Sequence, residues 1–248
     1  VYNNPLRIVD PDGMKGDDII YLNSSGEEIH RVKSNSVHEV HKVTMGGMIG
    51  LAVGAFASTS KTVEQAQEMN KSLSGFLESP TTMSMEFSGE ATEMTGKDSL
   101  GRDKYMAEGI LSITVGFEDG STSNIMEVGA NSGPHGFGPI PNGSYEGTGI
   151  VNTTERGMVK DGVGFKILMT DNEDLNRTQL RVHPDQTPAT GTAGCIGLTC
   201  GKSDLQGVRG QVQTHFKNNP GSNIPINVNI NNNPNYKRPK NGTQNSGE

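Results

Sequence analysis

Hydrophobic and polar positions alternate most clearly in the second half of the chain. In "EGILSITVGFEDGSTSNIMEVGA", starting at Glu108, two alternating segments flank Glu118-Asp119-Gly120-Ser121, a turn signal that predicts a β-hairpin. The segments "GPHGFGPIPNGSYEGTGIV", "GFKILMT", "TQLRVHP" and "NIPINVNI" supply further short strands punctuated by Gly and Pro. Together they predict a compact, mainly antiparallel β domain over residues 100–230. Upstream, the alternation of "DDIIYLNSSGEEIHRV" predicts a hairpin, and "KTVEQAQEMNKSLSGFLES" carries Val63, Ala66, Met69, Leu73, Phe76 and Leu77 at helical spacing before Pro80. Between them, the apolar run Met45 to Ala57 predicts a buried or interfacial helix, because it is shorter than the roughly 20 residues a spanning helix needs. The pattern is mainly β with some α: a helical and hairpin region over 15–99, then the β domain.

Composition agrees with a strand-rich, loop-rich core. Only 31% of the 248 residues are hydrophobic, there is no Trp, and 33 Gly and 12 Pro disfavour a helical bundle. The Asn-rich stretch 231–248 predicts a disordered tail. A formal charge of -7 with scattered Lys and Arg leaves no basic stripe for a phosphate backbone, so nucleic acid is not an expected partner. The start, "VYNNPLRIVDPDGMKGDD", has no basic segment followed by an apolar run, and so no signal peptide is read there. His30, His38 and His41 lack zinc-type spacing and are expected to be solvated. No metal or cofactor is expected.

The candidate chemistry lies in "HPDQTPATGTAGCIGL". A cysteine attacks a carbonyl well only as thiolate, so a nearby base that removes its proton turns it into a nucleophile. His183, at the end of one strand, and Cys195, beyond a flexible Pro- and Gly-containing loop, can converge for that purpose. Gly194 allows a tight turn before the sulfur, and the amides around Gly194 and Cys195 can point at a developing oxyanion. His135 in "GPHGFG" is either a site residue or a loop histidine. Asp185 is weighed as an orienting partner and set aside, and His215 is expected at the surface. Cys195 and Cys200 are also close enough in sequence for a disulfide, which would remove the nucleophile.

His183 followed by Thr192-Ala193-Gly194-Cys195-Ile196 resembles the signature of the L,D-transpeptidase catalytic domain. "GPIPNGSY", with Pro141, Gly143 and Tyr145, is similar to the upstream Pro-x-Gly-x-aromatic run of that family, in the wording of its type VI secretion effector branch. The resemblance covers roughly residues 100–230. It implies a β-sandwich catalytic domain acting on peptidoglycan stem peptides, with Cys195 as nucleophile, His183 as base, Gly194 serving the oxyanion hole and Thr192 supporting the loop. Arg181, Tyr145 and His135 are the implied substrate contacts, with Arg181 standing in for the Arg that often follows the Cys by two positions, here Gly197.

Separately, "NNPLRIVDPDGM" within residues 1–14 resembles the end of the core of RHS-repeat proteins, the secreted shells of bacterial polymorphic toxins. That resemblance implies self-cleavage near Asp10 to Met14. It further implies a secreted toxin tip delivered by the shell and a secretion-system carrier to the periplasm of target bacteria, and a cognate immunity protein. The alternative is a non-catalytic β module that binds cell walls or a delivery partner. A metallo-peptidase using His135, His183 and His215 is disfavoured, since no His-Glu-x-x-His pair is present.

Overall fold

The computed structural model describes residues 18–34 and 37–239. The stretch 1–14 and its proposed cleavage region lie outside the described residues. The chain divides into two compact units, one of Val1–Ser79 with Gly201–Thr214, the other of Pro80–Cys200 with His215–Glu248.

The first unit contains β1 (Asp18–Leu22), β2 (Glu28–Lys33), β3 (Glu39–Val43), α1 (Gly47–Ala57), α2 (Val63–Ser72) and β4 (Leu77–Glu78). β1 and β2 form the expected antiparallel hairpin, but β1 also pairs in parallel with β3, giving the order β2-β1-β3-β4. With partners on both edges, β1 is buried along its whole length. Thr62 caps α2 by accepting from the Gln65 amide, and Ala66, Met69 and Leu73 then fall on its buried face. They join Ile19, Tyr21, Val32, Val43, Val53 and Ala57 in one cluster. Phe76 and Leu77 lie past the helix end, with Phe76 exposed. The apolar run forms α1, which buries Val53, Gly54 and Ala57 and exposes Met48, Ile49, Leu51 and Phe56. Among the described residues no helix is long and apolar enough to cross a membrane.

The three histidines of this unit are not simply solvated. His30 and His41 flank the buried Tyr21 ring at 6.1 and 5.8 Å, His30 Nε2 pairs with the Ser60 carbonyl, and His41 pairs with Glu39. The His38 ring lies so close to Gly210 that a Cβ there would come within 2.0 Å of it.

The second unit holds β5 (Thr82–Lys97), β6 (Asp103–Gly116), β7 (Thr122–Ser132), β8 (Gly143–Asn152), β9 (Val159–Lys160), β10 (Val163–Met169), β11 (Arg181–Pro184), β12 (Ile196–Leu198) and β13 (Ile224–Asn231). α3 (Lys202–Asn218), which belongs to the first unit as far as Thr214, precedes β13. The sheet order is β11-β12-β7-β6-β5-β13-β8-β10-β9, and β11 pairs with β10 as well. The pairings therefore return on themselves from β11 round to β10, with β9 attached to β10. The domain is mainly β and mainly antiparallel as expected, but its strands close into a ring instead of ending in free edges. β6 and β7 make the hairpin expected around Gly120.

Alternation fills the ring. Met83, Met85 and Phe87 of β5 face inward with Leu111, Ile113 and Val115 of β6, and Ile226 of β13 stands between Met85 and Tyr145. β5 lies in the stretch allotted to the N-terminal region, yet it occupies the middle of this sheet, so the β unit starts near Pro80 and not at residue 100. The start of the expected disordered tail is also built in. Asn233 donates to the Ile140 carbonyl, the Asn235 side chain accepts from the Asn142 amide, and the Arg238 amide donates to Leu175.

Gly89 of β5 faces Gly109 of β6. A Cβ on Gly109 would sit 2.0 Å from the Ser88 carbonyl oxygen. Gly109→Ala is therefore expected to cost about 1–3 kcal/mol in unfolding followed by circular dichroism. Gly149→Ala, which meets nothing within 4 Å, should leave the transition in place.

Candidate active site

The strand register settles which side chains share a face. Val182 pairs with Ile196 and with Ile167, all three fully buried inside the ring, so the next residues on each strand point outward. That outer face carries Lys166 of β10, Arg181 and His183 of β11, Gly197 of β12, and Asn131 of β7, which pairs with Gly197. Cys195 immediately precedes β12, and continuing the parallel register sets it beside Arg181, whose backbone N–H reaches the sulfur. Cys195 and His183 thus project from diagonal positions on one face of two adjacent strands, while the thiol itself donates to the Gln179 carbonyl, with Sγ and O 3.9 Å apart. Neither cysteine is in a disulfide, so the competing Cys195–Cys200 bridge is not formed.

Lys166, His183 and Asn131 are buried although they point outward, because loops cover them. The Asp185 amide donates to Leu198, its carboxylate accepts from Asn131 Nδ2 at 2.8 Å and from the Thr187 amide, and Asn131 also donates to the Pro188 carbonyl. Lys166 is bonded to Glu155, whose carboxyl it holds below the usual range. Gly197 lies under this cover: a Cβ there would meet Asn131 Oδ1 at 2.5 Å and Thr192 Cγ2 at 2.6 Å. Position 197 has no room for any side chain.

His183 Nδ1 lies 2.7 Å from the Pro184 carbonyl oxygen. Only a protonated nitrogen can donate there, which fixes the neutral tautomer with Nε2 as the acceptor. Burial pushes the imidazole below its ordinary pKa, and the cationic Arg181 and Lys166 add to this, against opposing contributions from Pro184 and Asp185. At neutral pH His183 is an uncharged base. The ring is held by the Pro184 carbonyl, while Asp185 accepts from Asn131 and the Thr187 amide.

Burial likewise pushes the Cys195 thiol up, opposed by the Arg181 amide and by the charges of Arg181, Arg177 and Lys166. The resting pair is therefore thiol and imidazole, with proton transfer accompanying attack.

Thr192 organises the turn before the sulfur. Its hydroxyl donates to the Cys195 carbonyl at 2.7 Å and accepts from the amides of Gly133 and Gly194, while its carbonyl accepts from the His135 amide. Gly194 needs its glycine: φ is +99° and a Cβ would lie 2.0 Å from Arg177 Nη2. Its amide, however, is engaged by Thr192 at 3.3 Å, so service to an oxyanion requires that bond to be given up.

The remaining candidates divide. The exposed His135 sits beside the Thr192–Gly194 turn, with Gly136 against Ala193. Arg181 is half-buried beside Cys195. Tyr145 is instead a core residue, its ring inside the strand ring and its hydroxyl donating to the Pro141 carbonyl at 2.8 Å, which removes it from substrate contact. His215 is not at the surface: it is 5% exposed on α3, with Nε2 3.1 Å from Ser222 Oγ. Arg177 was not singled out from the sequence, because a lone Arg in a polar loop carries no pattern.

Since the thiolate is the form that burial disfavours, alkylation of Cys195 by iodoacetamide, read by mass spectrometry, is expected to rise with a midpoint above that of an ordinary cysteine. A midpoint below the ordinary value would mean a preformed thiolate–imidazolium pair. Gly194→Ala should lower the unfolding temperature through a backbone strain of about 1–3 kcal/mol.

Compared with models of protein families, with curated proteins and with solved structures, the chain has no match.

Proposed function

We propose that the β unit is a cysteine acyltransferase toxin acting on peptidoglycan stem peptides, as an L,D-carboxypeptidase, a D-amino acid exchanger, or both. The observation that carries this is the β11–β12 register, which sets Cys195 and His183 on one face with Nδ1 of the imidazole tied to Pro184. The substrate class rests on the L,D-transpeptidase resemblance of the residues around that pair.

In the proposed reaction Cys195 Sγ attacks the carbonyl carbon between the third and fourth stem residues while its proton passes to His183 Nε2. The C–N bond breaks, the leaving D-amino acid takes that proton on its amine, and a thioester remains. Water or a second D-amino acid then attacks the thioester, giving up a proton to His183 and returning the thiol. Arg181, beside the sulfur, is the cation for a substrate carboxylate, and His135 borders the turn from the solvent side. No metal or cofactor enters these steps.

Delivery by an RHS-type shell and a secretion-system carrier to the periplasm of target bacteria, with a cognate immunity protein, completes the proposal and rests on the resemblance in residues 1–14.

Purified protein with isolated peptidoglycan fragments is expected to convert tetrapeptides to tripeptides, and excess free D-amino acid should divert part of the product into exchanged tetrapeptides, both read by mass analysis. Cys195→Ala should abolish both outcomes without loss of fold, and His183→Ala should lower turnover by about 10²–10⁴-fold. Because burial holds His183 below its ordinary value, the acid limb of kcat/KM should fall below the usual histidine range. Cleavage of a glycan or cross-link bond with tetrapeptides intact would overturn the substrate class, and no cleavage at all would favour a cell-wall-binding module.

A further inference from the structure

Arg177 is a cation in an unusual setting. It is 3% exposed, and its guanidinium is bonded to main-chain carbonyls: Nη1 donates to Phe137 at 3.0 Å, Pro139 at 3.2 Å and Tyr236 at 3.3 Å, and Nη2 donates to Gly138 at 3.1 Å. Carbonyl oxygens satisfy its N–H groups without cancelling its charge, whereas a carboxylate would do both. No carboxylate among the described residues pairs with it, and Cys195 is among the groups that feel its charge. Nη2 also fills the space where a Gly194 side chain would be.

The same guanidinium joins three segments. The loop 133–141 borders the Thr192–Gly194 turn through paired backbone bonds between Gly133, His135 and Thr192. The strap 232–239 lies against that loop, with Tyr236 under the Arg102 guanidinium at 4.2 Å and its ring edge-on to Tyr105. Phe137 lies between Arg102 and Arg238, each at 5.6 Å. Asn176 donates to the carbonyls of Arg238 and Pro239, fastening the strap to the segment that carries Arg177.

We propose that Arg177 is a positioning residue for Cys195: it locks the turn at Gly194 to the 133–141 loop and the strap 232–239, and its uncancelled charge favours the thiolate that forms during attack. The role rests on Cys195 as the nucleophile of the proposed reaction. Arg177 touches neither substrate nor the reacting atoms and acts through the turn and the field. The other charged groups acting on the sulfur are Arg181 on β11 and Lys166 on β10, the latter partly neutralised by Glu155, and His183 shares the strand face with Arg181. Arg177 is the one of the three cations held by carbonyls alone.

The test is the pH dependence of Cys195 alkylation by iodoacetamide in the full chain, read site by site with Cys200 as internal reference, in Arg177→Met and Arg177→Lys. Removing a charge beside a thiolate typically moves its midpoint by one pH unit or more, so Arg177→Met is expected to slow Cys195 alkylation at pH 7 by about tenfold with Cys200 unchanged. Arg177→Lys should restore the midpoint while lowering the unfolding temperature, because an ammonium keeps the charge but cannot span the carbonyls that the planar fork reaches. An unchanged Cys195 midpoint in Arg177→Met, or an equal shift in both variants, would overturn the proposal. If Arg177→Met does not fold, Arg177→Lys still decides, since a shifted midpoint there rules out charge as the cause. The readout needs no substrate, so it stands apart from the tetrapeptide assay, whose failure would reject Cys195 as nucleophile without touching the alkylation result.

Discussion

The hydrogen bonding of β11 on both of its edges is the constraint from which the rest of the second unit follows. On one edge it pairs antiparallel with β10, on the other in parallel with β12, and through these bonds the strand order closes. Closure fixes register, because a slip of one residue along β11 would send Val182 outward and His183 inward. The same register puts the sulfur and the imidazole on one face. Closure of the fold and assembly of the candidate site are one event.

That outer face is costly to build. Asn131, Asp185, Lys166 and Arg177 are all removed from water, and a buried polar group without partners costs about 1–3 kcal/mol in typical mutational data. Most of that is offset by local bonding: Asp185 by Asn131 and an amide, Lys166 by Glu155, Arg177 by carbonyls. Asn131 Oδ1 is left buried with no hydrogen-bond partner, pressed near the Gly197 backbone. In this surround His183 is neutral and its donor nitrogen is committed. Such a site favours proton transfer during attack over a standing ion pair.

Legibility in the sequence followed the range of the interaction. The β1–β2 hairpin, the Gly120 hairpin, α2 and β13 are readable because turn residues, helical spacing and alternation lie within a few positions of each other. β5 was misassigned to the N-terminal region because its partners, β6 and β13, are distinguished only by pairing, and one of them lies more than a hundred residues away. α3 was missed although Leu205, Val208 and Val212 repeat at helical spacing, since interspersed Gly207 and Gly210 blurred the pattern. The motif suggests Tyr145 as a substrate contact because a motif gives residue order but not the face on which a side chain ends. The strap 232–239 was read as disordered from its Asn content, yet those amides bond to loop backbone that only the closed ring brings near.

By itself the sequence determined the mainly β character, the local hairpins and a helix, and the pairing of one histidine with one cysteine as candidate chemistry, all of which depend on residue type and short spacing. Tertiary structure alone decided the closure of the strands, the common face of His183 and Cys195, the burial that sets their protonation, and the place of Arg177 among carbonyls from two distant segments. Register and desolvation are properties of chains brought together in space, and neither leaves a periodic trace along the chain.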